Sequence, residues 1–417
     1  MRLMDRPIAT SSRLNEVRYD IRGPLSRRAR ELEAAGETIT RLNIGNPGLF
    51  GFRVPAHLRQ AIADALPASE AYGHQQGLLA AREAIAVVQR AQGSARVDAE
   101  RVFLGNGVSE LIDLSIRAIV NPGDEVLVPA PDYPLWTAAT FLNGGTPVHY
   151  PCPAAADHLP DPERMAALIT PRTRAIVLIN PNNPTGAVYP RPILEAIVAL
   201  AARHGLILLS DEIYDSVLYD DARFVPLAPL AGDVPCISYG GLSKVHLACG
   251  YRVGWMTVSG ADARVRELLM ALDLLASMRL CANVPAQWAI QPALEGPSAI
   301  AGLTAPGGRL HEARAALCRR VAASEFLQMV APRAALYAFP GVDPDRLPGF
   351  DDEAFALELL ERENVLLVPG SSFNVPYRTH FRVTLLPEPA VIDEVFGRIE
   401  RTLQAIAERG HARRHVA

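Results

Sequence analysis

The middle of this chain is constrained most by a rhythm: short apolar runs alternate with stretches of helical spacing, and several runs end on polar clusters. The runs at 101–104, 125–129, 175–179, 206–209, 237–239 and 254–258 read as strands. Residues 109–120 and 192–203 read as helices, the second closed by His204-Gly205, a pair suited to a left-handed cap. Apolar strands joined by helices predict an α/β fold, a mostly parallel sheet with helices on both faces. Ligands of such sheets gather beyond the carboxyl ends of the strands. Three unusual clusters fall there: NPNNPTG at 180–186, DEIY at 211–214, and Ser243-Lys244.

A chain of 417 residues exceeds what one core usually supports, so two domains are expected. The segment TAPGG at 304–308 interrupts the alternation. Beyond it the pattern is α+β, with helices at 352–363 and 390–409 and short strands at 335–339, 365–368 and 381–385. The division read from this pattern is a large domain at 51–305 and a small one at 306–417. Residues 1–50 form an arm that completes the small domain.

Composition removes several classes of function. Apolar residues make up 49% and charged residues 21%, with a net charge of −4, as in ordinary globular proteins. Basic residues form only short clusters, such as Arg27-Arg28 and Arg413-Arg414, so no nucleic-acid partner is expected. Five cysteines without a C-x-x-C pair suggest neither a disulfide scaffold nor a metal site. No apolar run reaches the roughly 18 residues of a membrane span, and none of signal-peptide length opens the chain. No membrane association and a cytoplasmic location are expected.

The polar clusters carry the chemistry. Lys244 follows a strand in GGLSK and precedes ACGYRVGW. A lysine becomes a nucleophile only when neutral, which burial and a nearby cation promote; Arg252 can supply that charge and can also bind a phosphate. The rival reading is a surface lysine. Asp211 closes a buried strand, where a carboxylate needs a cationic partner such as a protonated pyridine nitrogen; a helix N-cap is its rival. Tyr214 follows within reach of the same ligand. Asn183 is held between prolines, which presents its amide rigidly, although a plain turn would also use this motif. Gly107, Val108 and Ser109 stand at a strand-to-helix junction, a natural phosphate site. Tyr133 lies past the next strand and can stack on a flat ring, or belong to the core. Arg382, flanked by Phe381 and Val383, calls for a carboxylate, either a substrate's or an internal one. Gly45, in NIGNP, can bring backbone close to that carboxylate.

Taken together, segments 180–186 and 211–214 and Ser243-Lys244 with Arg252 resemble the fold-type I, class-I/II pyridoxal-phosphate aminotransferases, from about residue 13 onward. Segments 13–24, 129–136 and 277–285 are similar to the bacterial alanine aminotransferase subgroup. The resemblance implies pyridoxal 5'-phosphate as cofactor, with Lys244 as its Schiff-base lysine and proton carrier. It pairs Asp211 with the ring nitrogen, sets Asn183 and Tyr214 on the phenolic oxygen, and stacks Tyr133 on the ring. Gly107, Val108, Ser109 and Arg252 hold the phosphate, and Ser243 is a further cofactor-binding residue; Gly45, Asn183 and Arg382 receive the substrate. Tyr72 resembles a tyrosine that reaches the neighbouring subunit's phosphate, which implies a homodimer with shared sites.

The implied activity is ping-pong transfer of an amino group between an amino acid, alanine or glutamate, and a 2-oxo acid, pyruvate or 2-oxoglutarate. A lyase on the same fold, or a non-catalytic regulator that kept it, stays open. The chain departs from the pattern at Gly241, where many relatives carry a hydroxyl, at His246-Leu247, where the subgroup has Tyr-Arg, and at Cys249. Arg18, Arg22 and Arg279 are candidates for a second substrate carboxylate.

Overall fold

The structure, a computed structural model, describes residues 8–19 and 23–416. Seven strands form its central sheet: β1 (Val102–Gly105), β2 (Glu125–Ala130), β3 (Thr146–Pro151), β4 (Thr173–Ile179), β5 (Ile207–Asp211), β6 (Cys236–Gly241) and β7 (Gly254–Ser259). Their spatial order is β1-β7-β6-β5-β4-β2-β3. Only β7 runs antiparallel to its neighbours, so the expected mostly parallel α/β sheet is what forms.

The sheet is buried on both faces because its apolar residues alternate between two cores. Val126, Val128, Val177, Leu209 and Ile237 pack with helices α1 (Val108–Ile119) and α4 (Asp262–Met278). Leu127, Ile176, Leu178, Leu208 and Cys236 face α3 (Arg191–His204) on the other side. Gly205 caps α3 at φ 67°, as the sequence suggested.

Two elements had little signal in the sequence. Strand β3 (TPVHYP) is an edge strand of mixed burial that holds two prolines. Helix α4 buries only Val265, Leu272 and Ala276 in full, so its apolar stripe is diluted.

A second core gathers Leu42, Tyr214, Tyr337, Phe381 and Val383 with helices α5 (Arg309–Ala323), α6 (Asp352–Glu363) and α7 (Pro389–Val416). Beside it, β8 (Tyr337–Ala338), β10 (Phe381–Thr384) and β9 (Val368–Pro369) form a three-stranded antiparallel sheet. The strand expected at 365–368 splits. Val365–Leu366 pairs with Thr40–Arg41, so the N-terminal segment packs on this second core, while β9 pairs with β10. No helix among the described residues is long and apolar enough to cross a membrane.

Candidate active site

Strand register sets the floor of the site. Ile179, Asp211 and Tyr239 are aligned at the carboxyl ends of β4, β5 and β6. A cavity of about 590 Å³ opens above them, lined among others by Gly45, Val108, Ser109, Tyr133, Asn183, Asp211, Tyr214, Ser243, Lys244, Arg252 and Arg382. Eleven candidates from the sequence therefore share one space.

At one end β1 turns through Gly107 (φ 84°) into α1. A side chain at Gly107 would collide with Arg252, whose Nη2 lies 2.1 Å from the position of its Cβ. Arg252 is anchored by donating to the Cys249 carbonyl (2.9 Å) and the Asn106 carbonyl (3.2 Å). The first-turn amides of α1, the Ser109 hydroxyl and this guanidinium thus make an anion cradle.

Asp211 is buried on the floor, with Oδ2 accepting from Trp136 Nε1 (3.3 Å) and Oδ1 from the Ile213 amide (3.4 Å). Burial pushes its carboxyl up to about 6, against these two donors and the charge of Lys244. A buried carboxyl with two neutral donors is one whose anion a cation in the cavity would stabilise. Trp136 was not singled out from the sequence, because nothing local predicts that α2 (Leu135–Leu142) turns its ring towards β5. Tyr133 bonds hydroxyl to hydroxyl with Tyr19 at 2.8 Å.

Lys244 Nζ donates to the Gly45 carbonyl at 2.7 Å and lies 3.7 Å from the Cys249 sulfur. The expected depression of this amine is not found. Burial presses it down, Tyr337 and Cys249 press it up further, and the cation that opposes them is Arg382, not Arg252. Arg382, 1% exposed, donates to Asn183 Oδ1 (3.0 Å) and to the Asn43 carbonyl (2.6 Å). The Tyr337 and Phe373 rings lie 4.2 and 4.8 Å from its guanidinium carbon. Its Nε has no hydrogen-bond partner, and no salt bridge to it occurs among the described residues, so the internal carboxylate of the rival reading is not found.

Other candidates lie elsewhere. Tyr72 is 80% exposed and does not line the cavity. Arg279 turns to the Leu104 carbonyl (2.7 Å). Arg18 does not line the cavity, and Arg22 lies outside the described residues. His246 is buried beside a different cavity, and burial pushes it down to about 4. A Cβ at Gly241 would meet the Val253 carbonyl at 2.8 Å.

A sheet of this topology, with a lysine and a buried aspartate at its strand ends and an arginine of the smaller sheet on the wall of the same cavity, is the framework of an enzyme that handles amino acids. The chain belongs to the aminotransferases of class I and II, whose pattern matches residues 37–399. Within that class it is similar to glutamate-pyruvate aminotransferase AlaA of Escherichia coli (strain K12), 47% identical over 397 residues, 95% of this chain and 98% of that protein. It is also similar to alanine aminotransferase of Mycobacterium tuberculosis (strain ATCC 25618 / H37Rv), 47% identical over 383 residues, 92% of this chain and 89% of that protein. Among solved structures, an aminotransferase from Escherichia coli superposes with a TM-score of 0.94 at 47% identity, over 96% of this chain and 99% of that one. Alanine aminotransferase from Pyrococcus furiosus superposes with a TM-score of 0.90 at 36% identity, over 95% and 100%.

Proposed function

We propose that this aminotransferase exchanges amino groups between alanine and 2-oxoglutarate, and between glutamate and pyruvate, with pyridoxal 5'-phosphate held in the cavity. The observation that carries the reading is Arg382: a buried guanidinium with an unpartnered Nε, on the wall of the cavity that Lys244 also lines. A buried cation without a carboxylate is costly, and a substrate α-carboxylate would satisfy it.

The cofactor's needs match the lining. Its phosphate would take the cradle of Gly107, Val108, Ser109 and Arg252, with Ser243 close by. Its ring nitrogen would meet Asp211, its phenolic oxygen Asn183 and Tyr214, and its face Tyr133. When bound, it supplies the electron sink that lets a proton leave the substrate α-carbon. The protein's own part is then simple. Arg382 binds the α-carboxylate with Asn183 beside it, the Gly45 backbone limits how the carboxylate sits, and Lys244 Nζ takes up the α-proton. One 2-oxo acid leaves before the next enters, because both use the same arginine.

Tyr72, exposed here, is read as the residue lent to a partner's phosphate in a homodimer. The exposed stripe of Met270, Leu274 and Met278 on α4 supports such an interface. The division at residues 50 and 305 and a cytoplasmic location belong to the same reading. The lyase alternative is not favoured, since the relatives are named as aminotransferases. The test is Lys244→Ala. Alanine:2-oxoglutarate exchange should fall by a factor of about 10²–10⁴ or more, and the bound cofactor's yellow absorption should vanish. Wild-type enzyme given alanine alone should release one pyruvate per active site. Normal turnover by the variant would overturn the assignment.

A further inference from the structure

Tyr337 touches three parts of the site and belongs to none of the roles assigned so far. Its ring lies against the Arg382 guanidinium, 4.2 Å from centroid to carbon, and the Phe373 ring lies 4.8 Å from the same carbon. Its hydroxyl accepts the Gly45 amide at 3.2 Å, and the carbonyl of that same glycine receives Lys244 Nζ at 2.7 Å. The contact is close enough that a Cβ on Gly45 would stand 2.3 Å from the Tyr337 oxygen. The ring also meets Tyr214 edge-on, with centroids 6.1 Å apart, and the two hydroxyls interact.

We propose that Tyr337 is a positioning residue for amino transfer: its ring sets the plane of Arg382, and its hydroxyl holds the backbone of Gly45, whose carbonyl receives Lys244. The inference rests on the roles given above to Arg382 and Lys244. The two halves of the side chain do separate work. An aromatic face over a guanidinium restrains its tilt and so orients the donors offered to a carboxylate. The hydroxyl is the acceptor for a buried backbone amide, which would otherwise draw the loop out of place. The electrostatics agree. Burial pushes the Tyr337 phenol up, but Lys244, Arg382 and the Tyr214 hydroxyl bring it below its ordinary value overall.

Two substitutions separate the halves. Tyr337→Phe keeps the ring and removes the hydroxyl; Tyr337→Leu removes both. Three quantities are read on enzyme with its cofactor: kcat and KM for alanine, the dissociation constant for propionate, and the pH midpoint of the bound cofactor's absorption change. Propionate is a carboxylate that cannot react. For Tyr337→Phe, kcat should fall about tenfold and the midpoint should move by at least half a pH unit, with propionate binding within threefold of wild type. For Tyr337→Leu, propionate binding should weaken a further tenfold or so. Wild-type kcat and midpoint in Tyr337→Phe would remove the hydroxyl's role, and unchanged propionate binding in Tyr337→Leu would remove the ring's. If Tyr337→Leu does not fold, Tyr337→Met, which keeps the bulk without the aromatic face, replaces it in the propionate measurement, and unchanged binding there removes the ring's role. Should wild-type enzyme ignore alanine but bind propionate and cofactor, the substrate assignment fails, while propionate binding and the pH midpoint still decide the role of Tyr337.

Discussion

Arg382 shows how a side chain's worth depends on geometry more than on charge. Its two terminal nitrogens each give one hydrogen bond, to Asn183 and to Asn43, and the Tyr337 and Phe373 rings lie against it. Arg382→Lys would keep the charge and lose both the planar fork and the stacking. The lost charge-assisted hydrogen bonding, about 1.5–3 kcal/mol, corresponds to a fall in kcat/KM of roughly 10- to 100-fold, with most of it in KM. Steady-state assays with alanine and with glutamate should show the same fall for both, since both present the same α-carboxylate. At this scale the sequence was informative wherever a residue's chemistry conflicts with its surroundings: an arginine between Phe381 and Val383, or a carboxylate ending an apolar strand. It was silent on Tyr337 and Trp136, which look like ordinary core aromatics. Tyr337 faces the same way as Arg382 because it pairs with Thr384, two residues along β10. That register exists only after folding.

Strand ends decide what the elements contribute. Gly241 closes β6 opposite Gly254 of β7, and a Cβ there would lie 2.8 Å from the Val253 carbonyl and 3.2 Å from Ile213 Cδ1. The missing hydroxyl at this position is thus enforced by the close approach of β7. Gly241→Ser, which supplies the hydroxyl of many relatives, should destabilise the protein by about 1–3 kcal/mol through overpacking. It should not tighten cofactor binding. Urea unfolding and a pyridoxal-phosphate titration check the two halves, and a tighter cofactor complex would contradict the argument. The elements that the sequence revealed were those with clean periodicity and a marked end, such as β4, β5 and α3 with its Gly205 cap. Edge strand β3 was hidden because its two prolines and mixed burial leave no clean alternation of apolar and polar residues. The strand expected at 335–339 shrinks to Tyr337–Ala338, since Ala335 adopts φ 66° just before it.

Across the whole molecule, the cluster at the sheet's carboxyl edge makes stability depend on pH. Burial pushes Asp132 up to about 7, Asp211 to about 6 and Glu212 to about 8, while burial pushes His149, His246 and His380 down to about 4. The raised carboxyls bind protons in the folded protein that the unfolded chain has released, so they add stability at low pH and lose it as pH rises. The histidines work the other way: they stay neutral when folded, and their stability is lost as pH falls below about 6.5, where the unfolded imidazoles charge. Between about pH 5 and 6 the two sets oppose each other. Above about pH 6.5 the unfolded histidines are neutral, and the raised carboxyls act alone. The cofactor-free protein should therefore lose stability from pH 6.5 to 8. Glu212 alone contributes roughly 2 kcal/mol of that loss. Its Oε1 is held by the Ser210 hydroxyl at 2.8 Å and the Leu227 amide at 3.1 Å, which oppose its burial without outweighing it. Glu212→Gln removes the titration but keeps an acceptor, so the slope of unfolding free energy against pH should flatten in this variant. Urea midpoints at pH 6.5, 7.25 and 8 would measure it. A slope as steep in Glu212→Gln as in wild type would mean that Glu212 is already ionised in the folded protein at pH 6.5.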